Sequence, residues 1–203
     1  MEQTNVTMAG RKLQFDREVV LERAMELFWA KGYSATCLND LLAHMGIQRQ
    51  SLYNTFGNKH ALFLAAVRHY GDTSTRRIED RLSQPGSPLA NVRGFLQEAA
   101  ARAIAPGYRG CFMTNAIVEL APDDPAVAAE VQLLVQRVER ALEATLKRAI
   151  AAGELPATAS ARRLARFFLH IVLGFNVRGK SCLSQTCVDD VLAMAFRVLE
   201  VPT

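Results

Sequence analysis

The stretch from Phe15 to Tyr70 limits the possible folds of this chain most strongly, because it contains three helical patterns and a tight turn. The turn is predicted at Met45-Gly46-Ile47, between the second and third helices. The third helix, from Gln48 to Phe56, has few apolar residues to bury and leaves most of its polar side chains free. This pattern is typical of a helix-turn-helix whose second helix is presented to a ligand.

The free side chains of the third helix belong to the types that contact nucleic acid. Arg49 and Gln50 are the best candidates for reading base edges, because each can form a pair of hydrogen bonds with one base. Lys59 is placed at the start of a fourth helix, where a helix N-terminus already favours anions such as phosphate. The predicted DNA-contacting residues are Gln48, Arg49, Gln50, Ser51, Tyr53, Asn54 and Lys59.

The distribution of charge agrees with a nucleic-acid partner, although the formal net charge of +4 at pH 7 is modest. Between Asp40 and Glu79, Asp72 is the single acidic residue. The basic residues of that range are Arg49, Lys59, Arg68, Arg76 and Arg77. A local positive excess is expected of a surface that binds phosphates, and an ordinary solvated helix face is the alternative.

Length and composition predict a cytoplasmic protein with a sizeable core. Half of the 203 residues are hydrophobic, which provides enough material for a small head and a larger helical body. No apolar run reaches the length that spans a bilayer, and Met1 to Gly10 lack the apolar region of a signal peptide, so we expect no membrane partner. The cysteines are expected to be free thiols, because their spacing forms no zinc signature and structural disulfides are rare in cytosolic proteins. They are Cys37, Cys111, Cys182 and Cys187.

Apolar periodicity predicts an all-α protein with about nine helices and no strand. Capping residues place the helix ends. Asp16 and Gly32 are expected to bound the first helix, Thr36 to begin the second, and Asn58 to begin the fourth.

Three regions are predicted along the chain. They are a flexible N-terminal arm (1–14), a helix-turn-helix DNA-binding domain (15–60, the head) and a helical regulatory and dimerisation domain (61–203, the body). The last two helices carry apolar stripes wide enough to form a homodimer interface. The alternative is that both stripes pack on the body.

The N-terminal third of the chain resembles the TetR family of transcriptional regulators. The matching residues are Lys31-Gly32-Tyr33, Ala35-Thr36, Leu41-Leu42-Ala43, Met45-Gly46-Ile47, Ser51-Leu52-Tyr53, Phe56, Asn58-Lys59 and Ala61-Leu62-Phe63. The resemblance implies a homodimeric repressor whose two heads dock on a palindromic operator. It implies that Gln48 to Asn54 enter the major groove and that Thr36 and Lys59 contact phosphates. Cys37 departs from the hydroxyl residue that is common in the family at that position.

One candidate for an effector site is Cys111. It follows Gly110 at a predicted helix start, with Arg109 beside it, and both a helix N-terminus and a cation favour the reactive thiolate. Cys111 and Lys180 resemble the reactive cysteine and its lysine partner in the NemR-like branch of the family, which responds to electrophiles and oxidants. The resemblance implies that Lys180 activates the thiol or traps an oxidised sulfur.

Three alternatives to a reactive Cys111 are left open by the sequence. Cys111 is a small buried apolar residue, or the effector binds without covalent chemistry in a hydrophobic pocket, or copper binds to Cys111 with Cys182 or Cys187. The predicted pocket residues are Phe95, Phe112, Met113, Phe168 and Phe175.

A nucleotide-binding enzyme is a further alternative, because Gly174 to Ser181 matches the phosphate-binding loop G-x-x-x-x-G-K-S. That loop follows a buried strand, whereas Ser160 to Phe175 has the periodicity of an amphipathic helix. No other catalytic signature is present, so we predict a regulator that is not an enzyme and assign it no cofactor.

Overall fold

The computed structural model describes residues 15–200, and within this range the chain is helical without strands, as predicted. The predicted N-terminal arm lies outside the described residues. The helices are α1 (Arg17–Lys31), α2 (Leu38–Met45), α3 (Arg49–Phe56), α4 (Lys59–Leu82), α5 (Pro88–Ala103), α6 (Phe112–Glu119), α7 (Pro125–Ala151), α8 (Ala161–Arg178) and α9 (Gln185–Arg197). A short 3-10 helix, Gly179–Ser181, follows α8. In the described residues, no helix is both long and apolar enough to cross a membrane.

Most helix ends follow the capping chemistry that the sequence predicts. The side chains of Asp16 and Asn58 accept hydrogen bonds from first-turn N–H groups of α1 and α4, which confirms both as N-caps. Gly46 ends α2 at a φ of 71°, in the left-handed region that glycine adopts without strain. This glycine permits the tight turn between α2 and α3.

The start of α2 differs from the prediction. Thr36 does not cap this helix, because its side chain is buried and its hydroxyl donates to the Gly32 carbonyl at 2.5 Å. Cys37 is the N-cap, and its Sγ accepts a hydrogen bond from the Asp40 N–H at 3.3 Å. Since sulfur is a weak acceptor, this cap is weaker than a serine or threonine cap would be.

One hydrophobic core joins the head to the body. Its buried residues come from α1 to α4 and also from α6 and α7, among them Phe112 and Val131. Helix α4 crosses the predicted boundary between residues 60 and 61 without interruption. The head is therefore packed directly against the helices that contain the effector candidate.

Candidate nucleic-acid interface and effector cavity

Helix α3 presents its polar face outward. Leu52 and Phe56 are buried and hold the helix on the core, while Tyr53 is 43% exposed. Most of the predicted contact residues are exposed, and Ser51 is half-buried. The exposed residues are Gln48, Arg49, Gln50, Tyr53 and Asn54. Their side chains are accessible to a groove of double-stranded DNA.

Two hydrogen bonds order this face before any ligand binds. An Nη of Arg49 donates to Asn39 Oδ1 at 3.1 Å, and Gln50 Nε2 donates to Asn54 Oδ1 at 2.9 Å. Ordering long side chains in advance lowers the entropy cost of binding. Asn39 was not predicted as part of the site, because it lies on α2 and its contact with Arg49 depends on how the two helices cross.

The two residues predicted to contact phosphates differ in the structure. Lys59 lies at the start of α4, and its ammonium sits 4.2 Å from the centre of the Tyr33 ring, a cation–π distance. Burial raises the pKa of Tyr33 above its ordinary value, so the phenol stays neutral beside the lysine. The predicted phosphate contact of Thr36 is wrong in this structure, because that buried hydroxyl is bonded to Gly32.

A cavity of about 790 Å³ lies between α1, α4, α5 and α8 and the connection from α5 to α6. Its volume is in the range of small-molecule binding sites, about 300–1,000 Å³. Of the predicted pocket residues, Phe95 and Met113 line it. Three predictions are corrected, because these side chains pack inside the hydrophobic cores and do not line the cavity: Phe112, Phe168 and Phe175.

Cys111 is the N-cap of α6, as predicted for a helix start, and it lies on the wall of this cavity. The thiol is half-buried, and Sγ accepts a hydrogen bond from the Tyr70 hydroxyl at 3.3 Å. The neighbouring Arg109 guanidinium stacks over the Trp29 ring at 4.7 Å. The covalent and the non-covalent effector predictions therefore refer to one and the same cavity.

Lys180 approaches this region, but its ammonium is bonded elsewhere. The Nζ atom donates to Asn115 Oδ1 at 3.0 Å, and no hydrogen bond joins it to Cys111. Its methylene stem lies against Gly110, where an added Cβ would be 2.9 Å from Lys180 Cδ. The partner of the sulfur is thus Tyr70 of α4.

The phosphate-binding-loop alternative is not supported by the geometry. The segment from Gly174 to Arg178 is the end of α8, and Gly179–Ser181 forms the 3-10 helix, so no loop follows a strand there. In residues 15–200, no group of three or more histidine, cysteine, aspartate or glutamate side chains is arranged to hold a metal ion.

Both ends of α6 contact the head. Beside its first turn, Trp29 Nε1 donates to the Gly110 carbonyl at 3.1 Å. At its other end the Glu119 carboxylate accepts hydrogen bonds from the N–H groups of Tyr33 and Ser34, at 3.1 and 2.9 Å. These contacts join residues more than eighty positions apart, and no sequence pattern indicated them. A displacement of α6 would therefore act on the turn between α1 and α2.

The family model of bacterial regulatory proteins of the tetR family matches residues 20–66, and the model of the tetracyclin repressor-like C-terminal domain matches residues 88–195. The chain is 33% identical to the HTH-type transcriptional repressor ComR of Escherichia coli (strain K12), over 93% of this chain and 91% of ComR.

Solved structures show the same fold. A cysteine mutant of the TetR family transcriptional regulator CifR, complexed with a 26 bp double-strand operator DNA, is 31% identical, with a TM-score of 0.80 over 92% of this chain and 98% of CifR. The reduced form of E. coli NemR has a TM-score of 0.81 over 89% of this chain and 95% of NemR. Since its identity is 19%, that likeness shows the fold alone.

Proposed function

This chain belongs to the TetR family of bacterial transcriptional regulators, and from that premise we propose that it is a homodimeric cytoplasmic repressor released from its operator by an electrophile. Like the other members of this family, it is a DNA-binding transcriptional regulator and not an enzyme. What we propose beyond this is that it represses transcription, that it is a cytoplasmic homodimer and that its effector is an electrophile.

The proposed operator contacts rest on the outward face of α3. Arg49 and Gln50 read base edges in the major groove, and Lys59 binds a phosphate beside them. The exposure of Arg49 and Gln50, their ordering by Asn39 and Asn54, and the similarity to DNA-bound CifR support this assignment.

The proposed dimer interface is the outer face of α8 and α9. Four large apolar side chains are exposed there, namely Phe167 (44%), Val177 (48%), Met194 (63%) and Val198 (49%). Gly174 lies between the first two on the exposed face of α8, with open space where a Cβ would be, which lets a second helix approach closely. A second copy of this chain would bury these residues in a two-fold four-helix interface.

We expect Met194→Lys to weaken the dimer. A two-fold interface contains each substitution twice and would bury an unpaired ammonium, at a cost of at least about 2 kcal/mol, or about thirtyfold in the dimer dissociation constant. Analytical ultracentrifugation measures this constant. The control is Leu133→Lys on α7, where the leucine is 56% exposed. If both variants dimerise like the parent, another face forms the dimer.

The observation that carries the effector proposal is the position of Cys111 on the cavity wall. An electrophile held in the cavity is within reach of the thiol, and Met25 and Trp29 of α1 line the same space. A modified sulfur therefore changes the surroundings of the head directly. In a regulator, such a change shifts the population away from the form that binds DNA.

The test is operator release by p-benzoquinone. We expect a gel shift with the upstream intergenic DNA to show binding by the parent and loss of that binding as quinone is added. Cys111→Ser should bind the same DNA and keep binding in the presence of quinone. The control Cys182→Ser removes an exposed thiol and should respond like the parent. If Cys111→Ser responds like the parent, the thiol is structural and the cavity holds a non-covalent effector.

A further inference from the structure

We propose that Tyr70 is the residue through which a change at the Cys111 sulfur reaches the DNA-binding head. This inference rests on the proposed sensing role of Cys111 and names the path of the signal. Its basis is a pair of hydrogen bonds from aromatic side chains of α1 and α4 to two consecutive residues before α6. Trp29 Nε1 donates to the Gly110 carbonyl, and the Tyr70 hydroxyl donates to Cys111 Sγ.

The two donors form one aromatic unit. The Trp29 and Tyr70 rings meet edge to face, with centroids 5.3 Å apart at an interplanar angle of 74°. Phe112, the first residue of α6, contacts Tyr70 in the same manner at 5.7 Å. Because these rings are close-packed, Tyr70 cannot leave the sulfur without moving its neighbours on α1 and α6.

The Tyr70 hydroxyl keeps the proton that it donates to the sulfur. The pKa of Tyr70 is raised far above its ordinary value, mainly by burial and to a smaller extent by the nearby Cys111. The phenol therefore keeps its proton and remains a donor. Tyr108 provides a close comparison, since burial raises its pKa to about 12 and it lines the same cavity. Its hydroxyl, however, donates to Asn176 Oδ1 at 2.7 Å and not to the sulfur.

Alkylation of Cys111 would disturb this contact directly. When the thiol adds to a maleimide, an S–C bond forms, the C=C π bond breaks, and the thiol proton ends on the neighbouring carbon through water. The product thioether sulfur, like the thiol, is only a weak acceptor, and it now carries a bulky substituent on the side of the cavity. Tyr70 must then move or lose its partner. Helix α4 runs from Tyr70 back to its first residue, Lys59, and packs against α3. The displacement is therefore transmitted to α3, the helix proposed to enter the major groove.

The decisive variant is Tyr70→Phe, which removes the hydroxyl and keeps the ring. Its matched control is Tyr108→Phe, which removes a hydroxyl from the same cavity. Both are made in a background in which Cys37, Cys182 and Cys187 are serine, so that N-ethylmaleimide reacts with Cys111 alone. Mass spectrometry verifies complete alkylation, and thermal unfolding verifies that each variant folds. Fluorescence anisotropy then gives the operator Kd before and after alkylation.

The quantity that tests the proposal is the ratio of the two Kd values. We expect alkylation to raise the operator Kd at least about tenfold in the background protein and in Tyr108→Phe, a usual size for coupling between two sites. In Tyr70→Phe the ratio should fall to about threefold or less, because the contact that carries the signal is already absent. A Tyr70→Phe ratio equal to that of the background overturns the role of Tyr70 alone. A background protein whose Kd does not change on alkylation overturns Cys111 sensing, and Tyr70 with it.

Discussion

Replacing Phe63 with alanine is expected to lower the free energy of unfolding by about 3–5 kcal/mol, the usual cost of deleting a buried aromatic ring. Phe63 is 1% exposed and lies at the centre of an aromatic cluster. Its ring contacts Phe28, Tyr33 and Phe112 edge to face, with centroids 5.1, 5.0 and 5.6 Å apart. The cavity left behind would lie between α1, α4 and α6, so the head should also lose its fixed orientation relative to the body.

Urea unfolding at one fixed protein concentration measures this effect, since the apparent stability of a dimer depends on concentration. Leu133→Ala is the control, because Leu133 is 56% exposed and its truncation should cost less than about 0.5 kcal/mol. Equal costs for the two variants would show that the cluster does not hold the head to the body.

Replacing Arg49 with alanine is expected to weaken specific operator binding by about 1–3 kcal/mol per half-site, because a bidentate contact with a base is lost. Since each dimer presents Arg49 twice, the loss for the complete operator is up to twice that amount. The hydrogen bond that Arg49 donates to Asn39 Oδ1 holds the guanidinium in place, so the side chain is ordered before it meets DNA. Competition between operator and random duplex in anisotropy titrations measures the loss of specificity.

Two further variants separate base reading from simple charge. Arg49→Lys keeps the charge but cannot form the paired hydrogen bonds, so we expect it to lose specificity and keep its affinity for random DNA. Arg140→Ala, which removes an exposed arginine of α7, should leave the ratio of specific to random binding unchanged. If Arg49→Ala weakens operator and random DNA equally, Arg49 binds phosphate and does not read bases.

The family and the fold class were accessible from the sequence because they depend on local signals. Helix periodicity, N-caps such as Asp16 and Asn58, and the left-handed glycine at Gly46 are encoded within a few neighbouring residues. The one local error concerns Thr36 and Cys37. Both residues offer an acceptor at the start of α2, and only the path of the chain decides that the hydroxyl turns inward to Gly32.

The sequence by itself determined an all-helical regulator with an outward recognition helix and marked Cys111 at the start of a helix. Only the tertiary structure decided which groups surround that sulfur. Tyr70 donates a hydrogen bond to it, Lys180 is bonded to Asn115, and three of the predicted pocket phenylalanines do not line the cavity. The physical reason is that a helical pattern specifies which face is buried but not which distant helix covers it. Contacts such as that between Glu119 and the turn after α1 arise only when separate helices pack.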